Sequence, residues 1–203
     1  MTSSHRPAHR PFGRVEFSSA EDGRSAAMVL VTCTSAKAAR SSRLAEYVQT
    51  LAEHVLRRAP KDVSELAAQD WIAGGPSVAH VQRRFADQLD AGLAVSRMVR
   101  LEVERGWVHP WRAPNGDGVL LAVRSEGTTP RASLALSQLA EQIRGECVWD
   151  VELGEDGISE VFEPLTVVDR PWSRDARTTV QAEMERLLGA PWSLTGYACY
   201  RLP

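Results

Sequence analysis

Ala26-Ala27-Met28-Val29-Leu30-Val31-Thr32-Cys33-Thr34-Ser35-Ala36-Lys37-Ala38-Ala39-Arg40-Ser41 changes character partway along. Its first half is an apolar, Val- and Leu-rich run, the composition of a β-strand. Just upstream, Gly13 to Ser18 alternates apolar and polar residues (Arg14, Val15, Glu16, Phe17), and Ala20-Glu21-Asp22-Gly23-Arg24 supplies turn residues. The two stretches therefore read as a β-hairpin. From about Ala36 the period becomes helical: Leu44, Tyr47, Val48, Leu51, Ala52 and Val55 recur on one face, with Arg and Glu opposite. Pro60 ends that helix, because the residue before a proline disfavours helical backbone.

Downstream, Lys61 to Gly75 reads as a connector, and Pro76-Ser77 opens a second helix with Val78, Val81, Phe85 and Leu89 on its buried face. Gly92 is expected to end it. A strand follows from Leu93 to Glu104, alternating through Val95, Met98 or Val99, Leu101 and Val103. The order then restarts. Gly106 to Trp111 and Val119 to Val123, joined by Ala113-Pro114-Asn115-Gly116-Asp117-Gly118, form a second predicted hairpin. Ala132 to Ile143 and Asp175 to Leu188 read as amphipathic helices, and Trp192 to Leu202 as a closing strand. Between those helices, Trp149 to Asp169 is an extra piece whose Val161, Phe162, Leu165, Val167 and Val168 suggest another strand pair.

The repeated order, with a period of roughly a hundred residues, marks a domain duplication rather than a solenoid. It predicts an α+β fold of two tandem, duplicated subdomains, each a small antiparallel sheet covered by helices. The expected boundaries are a disordered tail over 1–12, a first subdomain over 13–105 and a second over 106–203.

Composition narrows the function classes. The 203 residues are 43% hydrophobic and 25% charged, with a formal net charge of −2. Such a balance gives no long-range field for nucleic acid or an anionic membrane, and neither is expected as a direct partner. No apolar run is long enough to span a bilayer, and Met1 to Pro11 lacks the apolar core of a secretory signal. Cys33, Cys147 and Cys199 are odd in number and form no paired motif, so buried thiols in a reducing cytoplasm are expected, with no zinc site.

Catalytic constellations are missing from the pattern. There is no phosphate-binding glycine loop, and Gly154-Glu155-Asp156-Gly157 reads as a turn. Neither a nucleophile elbow nor a zinc-protease helix appears. His5, His9, His54, His80 and His109 have no carboxylate or second histidine at the spacing that would place two ligands on one helix face. No catalytic, cofactor-binding or metal-binding residue is assigned, and no cofactor is expected. The six tryptophans could anchor a partner, but capping the two small cores is the favoured role. Arg83, Arg84, Arg97, Arg100 and Arg105 read as a solvated basic face. A protein-binding role is favoured over catalysis.

Several phrases resemble the core of bacterial translation elongation factor Ts, the nucleotide-exchange factor for elongation factor Tu. That family's V-x-V-N-C-E-T-D-F-V-A-R-N phrase is similar to the stretch from Val29 to Ser41, and its L-A-x-H helix end to Leu51-Ala52-Glu53-His54 and Pro60. The segment K-I-G-E-N-I-x-V-R-R-x-x-R-x-E resembles Gln88 to Glu102. The hairpin from Val108-His109 to Val123 is family-like, and Q-P-F-x-x-D-x-x-x-T-V is similar to Arg170-Pro171-Trp172 to Val180. The likeness runs in register over about residues 13 to 202.

The resemblance implies a partner, elongation factor Tu or a Tu-like GTPase, and a contact set of Ser35, Ala36, Lys37, Ala38, Arg40, Asp90, Gly92, His109 and Trp172. It also implies a loss. Where the family intrudes on Tu with an Asp-Phe pair, this sequence has Ala36 and Lys37, a methyl group and a cation in place of a short carboxylate and an aromatic wedge. Gly-Glu-Asn has become Asp90-Ala91-Gly92, and counterparts of the family's N-terminal helical domain and coiled-coil excursion are not recognised. Guanine-nucleotide exchange is accordingly expected to be weak or lost. Two alternatives stay open at this point: the same fold recruited as a subunit or enzyme of a specialised pathway, with a site between the subdomains, or a homodimer.

Overall fold

A computed structural model of the protein describes residues 12–127, 131–146 and 165–203. The predicted first hairpin is present: β1 (Phe12–Ser19) pairs antiparallel with β2 (Ser25–Cys33). Four helices follow, α1 (Ala36–Ala39), α2 (Ser42–Arg58), α3 (Val63–Ala68) and α4 (Val78–Leu89), before β3 (Leu93–Glu102) joins the other side of β2. The second half begins with β4 (Trp107–Arg112) and β5 (Gly118–Ser125). After α5 (Ala132–Glu146) come α6 (Leu165–Val168), a short β6 (Pro171–Trp172) and β7 (Asp175–Thr179), then α7 (Val180–Leu188) and β8 (Trp192–Tyr200). The main sheets have matching orders, β1-β2-β3 and β4-β5-β8, with the hairpin's second strand at the centre of each.

Both central strands are buried on both faces. From β2, Ala27, Val29, Val31 and Cys33 enter a core shared with α2, α3 and α4, whereas Ala26, Met28 and Leu30 enter a core shared with the second sheet. From β5, Val119, Leu121 and Val123 face α5 and α7, and Leu120 and Ala122 face the first sheet. The molecule is thus helices, sheet, sheet, helices. This explains why both strands read as continuous apolar runs instead of alternating ones. Close approach of the layers requires Gly118: a Cβ there would lie 2.6 Å from Val15 Cγ1 and 2.8 Å from Met28 Sδ.

Each sheet carries a β-bulge at the same place. In β3, Leu30 pairs with Arg97 and Val31 with Val95, leaving Ser96 over; in β8, Ala122 pairs with Gly196 and Val123 with Leu194, leaving Thr195 over. An extra residue reverses the side-chain alternation. Leu93 and Val95 pack under the helices, as does Met98, while Val99 and Leu101 face the other sheet. Likewise Trp192, Leu194 and Tyr197 face the helices and Ala198 and Tyr200 the other sheet. The halves also end their last helices alike, in a left-handed residue: Asp90 (φ 47°) after α4 and Gly189 (φ 68°) after α7.

Four expectations are corrected. The segment Lys61–Gly75 is not only connector; Asp62 accepts from the Glu65 N–H and caps α3. The helix expected over Asp175–Leu188 begins only at Val180, because Asp175–Thr179 pairs with β6 and Thr179 caps the helix through the Ala182 N–H. Leu165, Val167 and Val168 belong to a helix, not a strand; Val161 and Phe162 lie outside the described residues. Asp90, not Gly92, takes the helix-ending conformation. As for the cysteines, Cys33 is buried, Cys199 is half-buried and Cys147 lies outside the described residues.

All five described tryptophans pack on the cores. Trp172 and Trp192 are buried, and Trp107 and Trp111 lie against the same cluster. Trp71 belongs to a stack that locks α2 to α4: the Arg43 guanidinium lies over Phe85, Phe85 stacks on Tyr47 at 4.7 Å, and Tyr47 on Trp71 at 5.7 Å. His54 closes the row against Trp71 at 6.1 Å and bonds Gln69 Oε1 at 2.9 Å. Arg43, Tyr47 and His54 share one face of α2, as spacings of four and seven dictate.

Within that stack the Tyr47 hydroxyl is buried without a hydrogen-bond partner among the described residues. A buried hydroxyl left unsatisfied costs about 1–3 kcal/mol. Tyr47→Phe is expected to leave stability unchanged or raise it by up to about 1 kcal/mol, whereas Tyr47→Ala should lower it by about 3–5 kcal/mol. Urea midpoints of the two variants check this, and a loss of stability in Tyr47→Phe would mean that the hydroxyl has a partner.

Candidate functional site

The residues singled out in the first half converge on one exposed edge. Cys33 ends β2, and Ser35 accepts a hydrogen bond from the Ala38 N–H at 3.3 Å, capping α1. Ser41 then accepts from the Leu44 N–H and donates to the Ala38 carbonyl, so α1 and α2 meet at a fixed corner. The loop between α4 and β3 is tied to this corner twice. Thr34 N–H donates to the Gly92 carbonyl at 3.1 Å, and Gly92 N–H donates to Thr34 Oγ1 at 2.9 Å. A Cβ at position 92 would sit 3.1 Å from Thr34 Cγ2, which explains the glycine there. The edge exposes Lys37, Arg40, Asp90 and Gly92, half-exposes Ser35 and Ala36, and buries Ala38.

The remaining two lie elsewhere. His109 is half-buried on β4, and its Nε2 lies 3.0 Å from Ser137 Oγ on α5. Burial lowers the His109 pKa, so the ring is neutral at pH 7. Trp172 is 3% exposed in the core between α5 and α7. Gln142 holds its strand from both sides, donating to the Pro171 carbonyl at 2.8 Å and accepting from Ser173 N–H at 3.0 Å.

The chemistry of the corner is that of recognition. It offers two cations, a carboxylate and small side chains, with no base beside a nucleophile. Away from the corner, His109 does meet the Ser137 hydroxyl, but no carboxylate is hydrogen-bonded to that ring among the described residues. His54 bonds an amide, and His80 is exposed. No group of three His, Cys, Asp or Glu among the described residues is close enough to hold a metal ion. No helix among them is long and apolar enough to cross a membrane. The arginines expected to form a basic face are divided: Arg100 donates to the Leu56 carbonyl and pairs with Glu102, and Arg105 pairs with Glu126.

A cleft of about 600 Å³ lies where β1, α1 and the β4–β5 turn meet, lined by residues that sequence reasoning did not group. It lies at the rim of the junction between the sheets, whose centre is filled by the apolar cluster around Met28, Leu120 and Tyr200. Arg14, Arg40 and Arg112 all line it. Their separation in sequence hides the grouping; only the pairing of the halves brings Arg112 to β1. Asp117, 1% exposed, fixes the turn by accepting from Asn115 Nδ2 at 2.8 Å, Leu202 N–H at 3.0 Å and Arg144 Nε at 3.0 Å.

Comparison with known proteins agrees with the resemblance at a coarse level. No family model matches the chain. A curated relative, elongation factor Ts of Thioalkalivibrio sulfidiphilus, is 27% identical over 144 residues, covering 71% of this chain. The chain spans about half the length of that relative, 48% of which is matched. The shared region supports a relationship to elongation factor Ts, and the small antiparallel sheets flanked by helices are the α+β architecture expected from the sequence.

His109 gives the β4–α5 contact a pH signature. Its folded pKa lies below the unfolded value of about 6.5, so the unfolded chain binds the proton more tightly. The stabilising contribution is present above that value and is lost as pH falls toward the folded pKa. His109→Gln, which keeps a polar group near Ser137, is expected to flatten the fall in stability below about pH 6.5. Denaturation midpoints measured from about pH 8 to about pH 5, across the imidazole titration, test it; an unchanged acid limb would refute it.

Proposed function

We propose that this protein is a divergent partner-binding relative of elongation factor Ts, and that it docks on elongation factor Tu or a Tu-like GTPase in the cytoplasm. The Thr34–Gly92 tie carries this reading. It joins the α1 corner and the α4–β3 loop, where the contact residues implied by the resemblance fall, into one rigid exposed edge. A pre-ordered edge loses little conformational entropy on binding. Guanine-nucleotide exchange through it is weak or lost, because half-exposed Ala36 and exposed Lys37 supply neither a carboxylate nor an aromatic wedge. His109 and Trp172 act indirectly in this scheme, by holding α5 and the β6–β7 hairpin in place. A recruited enzyme is disfavoured by the filled centre of the sheet–sheet junction.

Two measurements separate binding from exchange. Immobilised protein should retain purified elongation factor Tu with a Kd on the order of micromolar, and Lys37→Glu should weaken retention by about tenfold. Release of mantGDP from Tu should accelerate by less than about tenfold, with the paired change Ala36→Asp and Lys37→Phe raising it. Acceleration matching an authentic exchange factor would overturn the loss of exchange. Absence of retention at bait concentrations of tens of micromolar, roughly ten times the expected Kd, would overturn the partner.

A further inference from the structure

The cleft at the rim of the sheet–sheet junction shares Ala36 and Arg40 with the proposed docking edge and adds Arg14 and Arg112, which that edge does not use. Its walls carry three guanidinium groups and no acidic side chain. Two of the three are held in fixed orientations from below. Glu16, with only 13% of its side chain exposed, accepts from Arg14 Nε at 2.7 Å and pairs also with Arg112 Nη2. Arg112 Nη1 donates to the Val15 carbonyl at 2.6 Å, and its guanidinium lies 5.3 Å from the centre of the Phe17 ring. The terminal nitrogens of Arg14 make no hydrogen bond to a described residue. Arg40, exposed at the end of α1, makes no ion pair with one. Ala36, Ala39 and Gly116 keep the floor low between them.

We propose that this cleft binds a small multivalent oxyanion, of the phosphate or polycarboxylate type, between the two halves of the molecule. Three guanidinium groups outnumber the half-buried Glu16 carboxylate, which pairs with two of them, and the terminal carboxylate of Pro203, so the site keeps an excess positive charge. Guanidinium forks match phosphate and carboxylate oxygens in pairs, and Glu16 has already set the planes of two of them. A volume of about 600 Å³ accommodates such an anion with a small apolar group attached, which Phe12 and Leu202 would cover. Because Arg14 and Arg40 belong to the first half and Arg112 to the second, a bound anion bridges them and raises stability by mass action. Arg40 and Ala36 are common to this site and the docking edge, but anion binding is read without the GTPase, so the two readings fail separately.

The test uses the full chain with ¹⁵N-labelled arginine, titrated at constant ionic strength with inorganic pyrophosphate and, separately, with citrate. Saturable shifts of the Arg14, Arg40 and Arg112 Nε–Hε signals are expected for at least one anion, with a Kd on the order of 0.1 mM. Which anion binds more tightly distinguishes phosphoryl from carboxylate recognition. Arg40→Ala, at an exposed position, should weaken binding by about tenfold or more with an unchanged amide spectrum elsewhere, and Arg84→Ala on α4 should have no effect. Shifts that stay linear for both anions and spread over exposed arginines such as Arg58 and Arg84 would overturn the site, as would an unchanged Kd in Arg40→Ala.

Discussion

Two three-stranded sheets lie face to face, and each gives its central strand to two cores at once. Met28 and Leu30 press on Leu120 and Ala122, while Val29 and Val31, one position away, press on α2. With only its helix-covered face buried, each sheet would leave a second apolar face in water. Here the uncovered face of each is the lining of the other. The close packing at Gly118, the Arg112 bridge to the Val15 carbonyl and the pinning of the connecting loop, where Val103 and Val108 donate to Arg24 and Gly23, all follow from that contact. The docking edge and the cleft are positioned by it too.

How much of this could be read from the chain depended on whether a signal was local. The hairpins, α2, α4 and α5 announce themselves through period and turn residues within short windows. β7 did not, because Asp175–Thr179 owes its extended form to pairing with the very short β6 just upstream, while Val180, Met184 and Leu188 behind it carry a strong helical stripe. The layer between the sheets was equally hidden: a doubly buried strand and a buried helix segment look alike in an apolar run. One ambiguity was informative. The alternation in β3 could be continued through Met98 or Val99, and both pack on a core beyond the Ser96 bulge, Met98 on the helix side and Val99 against the other sheet.

The candidate site divides along the same line. Residues 34–40 and 90–92 are far apart in the chain, and a resemblance in sequence order placed them together before the Thr34–Gly92 pair gave a physical cause. His109 and Trp172 were grouped with them on the same grounds, yet they sit within the second half, where a ring nitrogen meets Ser137 and an indole fills the core. The arginine cleft had no legible signal, since its members come from a strand, a helix end and a second strand on the other half.

The paired bulges limit how the chain can change length. Removing Ser96 or Thr195 would carry every residue on one side of the gap to the opposite surface of its sheet, sending Leu93 and Val95, or Trp192 and Leu194, away from the helices they cover. Strands built this way cannot absorb gained or lost residues without loss of both cores. Growth and shortening are therefore diverted to the connections between helices, and it is there that the halves differ: α3 fills the gap in one, and α6 with the β6–β7 hairpin stands in the other.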